Sequence, residues 1–188
     1  MTDTGTSVAQ ETLTGDYTLD LAHTRIGFSA RHAMVTKVRG QFNEFTGSVH
    51  LDAEDPANSK VEITIQVASI DTRNADRDGH LRTNDFLDAE NHPVITFVST
   101  AAELHGQESV TLTGDLTIKG VTKSISIEFD YQGAATDPFG NKRLGFEGTH
   151  TISRQDYGIT WNAPLETGGV LVGDKVVLEF DLSLVKSA

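Results

Sequence analysis

Residues 61–93 read VEITIQVASIDTRNADRDGHLRTNDFLDAENHP, and the break inside this stretch decides the fold. Val61, Ile63, Ile65 and Val67 alternate with Glu62, Thr64 and Gln66, the two-residue period of a strand with one apolar and one polar face. From Ser69 the alternation stops, and three Arg with six Asp or Glu crowd into Asp71–Glu90. Unpaired charges are costly to bury, so this segment must lie on a surface or across an opening. Ser69 and Asp71 are expected to cap a first helical turn, Thr83 a second, and Pro93 ends any helix. Leu81, Phe86 and Leu87 are its apolar anchors. The stretch therefore predicts a strand followed by a short helical insertion over about 70–92 that forms a lid. The same composition also fits an ordinary solvated connection holding a local Arg and Asp network.

In both directions from this stretch the chain repeats the strand pattern. Within Arg25–His32, Ile26, Phe28 and Ala30 share one face, and His32 falls on the same side. VRGQFNEFTGSVHLD, residues 38–52, reads as a hairpin turning at Asn43 and Glu44, with Gly47, Val49 and Leu51 on one face. Val94–Thr100 carries large side chains in both phases, which leaves its inner face unassigned. Leu112, Leu116 and Ile118 line a strand that turns at residues 119–122 into another bearing Ile125, Ile127, Phe129 and Tyr131. Leu144, Phe146, Gly148, His150 and Ile152 alternate next, which turns His150 inward. Arg154–Gly173, containing Trp161, reads as an ordered loop before the last strand, marked by Val176, Leu178, Phe180, Leu182 and Leu184.

About eight strands, each with one apolar face, make an all-β protein. Closure into an antiparallel barrel buries that face without open edges, and a two-sheet sandwich is the competing architecture. With one Trp and mostly medium aliphatics to fill it, the interior is expected to be hollow. Its lining would be the faces carrying Ile26, Phe28, His32, Val49, Leu51, Ile63, Ile65, Val67, Leu116, Ile118, Ile127, Phe129, Phe146, His150, Leu178 and Phe180. Leu81 and Phe86 would reach in from the lid.

Length and composition bound the function. The 188 residues contain no Pro/Gly/Ser-rich linker, which points to one domain over 16–188. Residues 1–15, MTDTGTSVAQETLTG, are polar and show no strand period; they are expected to be a disordered tail, without the basic start and apolar run of an export signal. A cytoplasmic protein without stable membrane insertion is the expectation. There is no cysteine, so neither disulfides nor thiolate chemistry are available. A formal charge of −12 repels phosphate backbones and excludes nucleic acid as a natural partner. No nucleophile elbow, phosphate loop, dinucleotide fingerprint or paired-His helix motif occurs. The seven histidines include no pair at i, i+2 or i, i+4, and no metal site is assigned. Arg77, Asp78 and His80 could act as an acid–base cluster; the commoner role of such a group is a structural network that holds a lid.

Five stretches carry a resemblance that periodicity cannot supply: YTLDLAHTRIGFSARHAM (17–34), VRGQFNEFTGSV (38–49), SIDTRNADRDGHL with NDFLDAENHP (69–81, 84–93), GDLTIKGVTK (114–123), and RQDYGI (154–159) followed by VGDKV (172–176). In this order they resemble the YceI-like family of polyisoprenoid-binding proteins, from about Asp16 to Leu184. The resemblance implies a lipocalin-like barrel whose apolar lumen holds a long isoprenoid such as a quinone or polyprenyl phosphate. It also implies homodimers, no cofactor beyond the lipid, and no catalytic residue set. Many relatives are exported. The alternatives are an enzyme or stress-response protein acting on an isoprenoid-like substrate, and a packed barrel serving as an interaction module. Burying one isoprene unit is worth ~4 kcal/mol gross, so eight would approach ~32 kcal/mol, beyond the ceiling of about 18 to 21 kcal/mol for noncovalent affinity. Chain ordering and imperfect fit must offset much of that, which makes tail length and lumen depth the natural determinants of specificity.

Overall fold

Alternating apolar residues produce eleven strand segments: β1 (Gly15–Leu19), β2 (Arg25–His32), β3 (Thr36–Phe42), β4 (Phe45–Leu51), β5 (Lys60–Gln66), β6 (Ile70–Asp71), β7 (Val94–His105), β8 (Ser109–Ile118), β9 (Val121–Thr136), β10 (Lys142–Ser153) and β11 (Val172–Lys186). Among the strands, a short α-helix, α1, spans Ala75–Leu81. The structure, a computed structural model, describes residues 13–166 and 168–187. The expected tail therefore lies outside the described residues up to position 12. Leu13 and Thr14 already touch the barrel: Tyr17 Oη donates to the Leu13 carbonyl (2.7 Å), and the Ala53 amide donates to Thr14 Oγ1 (3.0 Å).

The eleven segments make eight strands because three pairs are single strands with a break. β1 and β2 run along the same edge of β11, with Leu19 opposite Leu184 and Arg25 opposite Asp181. β3 and β4 are likewise continuous across Asn43 and Glu44, and β5 continues into β6 across a 3-10 turn at Val67–Ser69. All pairings are antiparallel, and β1 closes the ring between β4 and β11. The result is the closed eight-stranded barrel expected from the alternation; the two-sheet sandwich does not form. Loops at 33–35, 72–93, 119–120 and 154–171 gather at one end, called the lid end below. Those at 52–59, 106–108 and 137–141 gather at the far end.

The hairpin expected at Asn43 and Glu44 is corrected. β3 and β4 do not pair with each other; the Asn43 amide reaches the Ser69 carbonyl (3.1 Å) and the Gln66 amide reaches Glu44 (2.9 Å), so the neighbouring strand bends with them. The hairpin is instead β2–β3, and it turns at Ala33 and Met34, both at positive φ (50° and 65°). No Gly or Asn marks that turn, which is why turn chemistry pointed elsewhere. β7 resists assignment from sequence because its register shifts between Ser99 and Ala101. Ile95 and Phe97 face inward before the shift and Ala102 and Leu104 after it, which reverses the phase halfway along.

Four inward glycines sit beneath large side chains. Phe28 covers its cross-strand partner Gly40, Phe129 covers its partner Gly148, Phe97 covers Gly114 and Leu19 covers Gly47. At Gly148 an added Cβ would stand 2.8 Å from the Glu128 carbonyl oxygen and equally close to the Phe129 ring. The backbone oxygen cannot yield, so Gly148→Ala should destabilise the barrel by roughly 1 to 3 kcal/mol, read from urea unfolding. An unchanged midpoint would mean that Phe129 does not rest on this glycine.

Candidate functional site

The barrel axis is lined by three apolar cavities. At the lid end lies one of about 140 Å³, walled by Phe28, Phe42, Leu81, Phe86, Ile118 and Leu178 among others. Midway lies one of about 90 Å³, enclosed by Val49, Leu51, Ile63, Phe97, Ile127, Phe129 and Phe180. A third, of about 300 Å³, opens at the far end between Leu13, Leu104, Tyr131 and Leu144. The last two share Leu51, Leu104, Val110 and Phe146 and so adjoin across these side chains. The midway cavity is the smallest of the three, and a longer ligand meets the Phe97, Phe129 and Phe180 rings there.

Of the residues expected to line the lumen, Ile26, Ile65, Val67 and Leu116 are buried in the surrounding core without lining a cavity. Sequence reasoning missed Phe97, Ala102, Leu104 and Ile159, because β7 changes phase and the 154–171 loop has no period. His32 is corrected: it shares the phase of Phe28 and Ala30, but β2 ends there, and the side chain is exposed at the barrel's lip. His150 faces inward between Gly148 and Ile152, half-buried, and makes no hydrogen bond to any described residue. Burial pushes its imidazole below the ordinary value. The Tyr157 hydroxyl is fully buried and also without a partner among the described residues. Burial, with the Asp156 charge behind it, pushes that phenol up.

The polar insertion covers the lid end as expected, by a different set of bonds. Asn74, rather than Ser69 or Asp71, caps α1 by accepting from the Arg77 amide (3.0 Å), and Thr83 leads into turns rather than a second helix. Buried Asp78 accepts from the Thr72 amide (2.9 Å) and from Thr72 Oγ1. Arg77 donates to Thr72 Oγ1 (2.8 Å) and to the Thr72 carbonyl (2.7 Å). Arg77 and Asp78 thus grip one threonine from two sides, and Arg82 adds bonds to the carbonyls of Ala68 and Ile70. His80 joins neither. It bonds Asp85 (2.9 Å) and packs edge-on against Phe86 and Trp161, with ring centroids 4.9 and 4.7 Å away. Trp161, unassigned from sequence, belongs to the loop opposite, so His80 fastens the two covers of the lid end together. The triplet is a clasp: Arg77 and Asp78 hold Thr72, and His80 holds Asp85, Phe86 and Trp161.

That opposite loop is organised by Arg154, the charged residue in the wall of the lid-end cavity and nearly fully buried. Its guanidinium donates to the carbonyls of Gly173, Ile159, Trp161 and Val172, at 2.8 to 3.2 Å. Asn162 ties the loop to Val172 in both directions, donating to its carbonyl (2.8 Å) and accepting from its amide (2.9 Å). The described residues contain no cluster of three or more metal-ligating side chains.

Two measurements check this geometry. Asp78→Ala strands the Thr72 amide and should cost about 1 to 3 kcal/mol, with faster hydrogen exchange confined to residues 70–92. Uniform acceleration over the whole barrel would contradict the clasp. For His150 the sign follows from burial: the unfolded imidazole takes a proton at its ordinary value and the folded one only below it. Stability is full above the ordinary value and falls as pH drops through it. His150→Gln should therefore narrow the stability lost between about pH 7.5 and about pH 5.5. An unchanged difference would place the imidazole in water.

Comparison with known proteins agrees with this architecture. The YceI-like domain model matches residues 17–184. A UPF0312 protein of Ectopseudomonas mendocina is 38% identical over 155 residues, 81% of each chain. The crystal structure of Burkholderia cenocepacia BcnA superposes with a TM-score of 0.77 at 26% identity, covering 88% of this chain and 98% of the other. A polyisoprenoid binding domain from Saccharophagus degradans superposes with a TM-score of 0.70 at 16% identity, covering 91% and 98%.

Proposed function

Because the chain belongs to the YceI-like family, we propose that its barrel binds a long-chain isoprenoid lipid, of quinone or polyprenyl phosphate type, and sequesters or carries it rather than transforming it. The observation that carries this reading is the succession of apolar cavities along the axis of a closed barrel. The polyisoprenoid binding domain of Saccharophagus degradans shares the fold and supports the ligand class. A long, methyl-branched hydrocarbon chain fits a succession of small apolar cavities better than a compact ligand does, since each five-carbon unit can pass rings that rest over glycines.

The few polar groups favour a quinone-type head. A phosphate needs several donors to replace its water, and Arg154 already spends four of its five N–H bonds on carbonyls. A ring carbonyl asks for one donor, which the remaining N–H of Arg154, in the wall of the lid-end cavity, could supply. In this reading the lipid is the only bound group and the protein works as a homodimer. An enzymatic reading would need Arg77, Asp78 and His80 free to act, and all three hold the lid.

Organic extraction of the purified full chain followed by mass spectrometry should yield a long-chain isoprenoid; a ligand-free extract from folded protein would sink the proposal. Ala102→Trp places a ring in the midway cavity and should lower co-purified lipid about tenfold or more while the protein stays folded. Glu62→Arg, on the outer face, should leave it unchanged.

A further inference from the structure

The sequence of the β2–β3 hairpin contradicts the charge of the chain around it. Residues 29–43, SARHAMVTKVRGQFN, contain Arg31, Lys37 and Arg39 and no carboxylate, in a protein of formal charge −12. All three cations are exposed, and none has a carboxylate partner among the described residues. Arg31 and Lys37 stand directly opposite each other across the ladder. Like charges in that position repel and weaken a hairpin unless something neutralises them. The only carboxylate on the neighbouring loop tip is Glu166.

Between these cations the turn presents apolar groups to solvent. Met34 is 62% exposed and Val35 75%, while Val170 on the adjoining loop is 42% exposed. The Ala33 amide donates to the Leu171 carbonyl (2.7 Å), and the Met34 side chain lies over Gly169, so hairpin and loop form one projecting lip. Two valines and a methionine held out in water gain nothing from the fold, and the backbone adopts positive φ at two non-glycine residues to hold them there.

We propose that this lip is a docking surface for an anionic lipid bilayer, with Met34, Val35 and Val170 entering the interface and Arg31, Lys37 and Arg39 meeting the headgroups. Apolar groups flanked by Lys and Arg are the combination that holds a protein on such a surface, by partition and by attraction to negative lipid together. The lip stands at the lid end, so docking turns the lid-end cavity toward the membrane, whatever the lumen contains. The lid segment at the same end also carries exposed Asp76, Asp85 and Glu90, so the cationic lip rather than the whole lid end meets the headgroups.

The test uses the full chain and vesicles, independently of any bound lipid. The protein should float with vesicles of mixed phosphatidylcholine and phosphatidylglycerol, not with pure phosphatidylcholine, and should be released by salt. Lys37→Gln with Arg39→Gln should weaken partition roughly twenty-five-fold. Met34→Asn with Val35→Asn should weaken it about tenfold or more, with folding preserved because Asn tolerates the positive φ of position 34 and both side chains are exposed. Phe139→Asn, at the far end and still more exposed, should change nothing. Absence of flotation, equal binding to both vesicle types, or an equal effect at Phe139 would overturn the proposal. So would hairpin variants that dissociate a dimer while vesicle binding persists, since the lip would then contact a second copy of the chain.

Discussion

The whole molecule depends on closure of the ring along β11. Three residue pairs between β1 and β11 (Tyr17 with Lys186, Thr18 with Val185, Leu19 with Leu184) close the far half, and β2, paired with β11 and through β3 with β6, closes the lid half. Without the three pairs the far half of β11 would offer unpaired amides and carbonyls, and the far end of the lumen would be an exposed groove. With no disulfide available, side chains reinforce the seam. Arg143 pairs with Asp20, just beyond β1, and with Asp137 in the β9–β10 turn. Amides and the guanidinium hold the Asp137 carboxyl down to about 2, and Arg143, ahead of His23, holds Asp20 below its ordinary value. These carboxylates stay charged through mild acid, and the seam keeps its ties there.

Much of the fold could be read from the two-residue period because closure buries one face of nearly every strand. The period also misleads in definable places. At Asn43 and Glu44 good turn residues sit in a strand that merely bends, since β5 and β6 bend with it. At Ala33 and Met34 a real turn carries no turn residues. In β7 a register shift reverses the phase, and both halves of the strand then look wrong when read as one. The lumen faces of β4, β5, β8, β9 and β11 were legible for the same reason the barrel was. His32 was not, because alternation tells which side a residue takes and not where the wall ends.

The lid shows what sequence cannot convey. Its charges suggested ion pairs, yet Arg77, Arg82 and Arg154 spend their donors mainly on backbone carbonyls, and Asp78 on an amide and a hydroxyl. Irregular segments that cover an apolar opening have many backbone groups to satisfy, and a guanidinium serves several at once. The motifs that carry the family resemblance around residues 69–93 and 154–159 are therefore largely a recipe for closing one end of the barrel. Trp161 could not be assigned because its partners, His80 and Phe86, lie about eighty residues away in sequence and meet it only across the closed mouth.

The rings that rest on inward glycines leave the interior partly unfilled, and this makes volume a property that the protein can lose. Unfolding collapses internal voids into water, so a barrel with empty cavities is softened by hydrostatic pressure more than a packed domain of equal size. A hydrocarbon chain that fills those voids removes this volume loss on unfolding and stiffens the molecule against compression. Loaded and empty forms of the same fold then differ in compressibility, although their strands, registers and surface are alike.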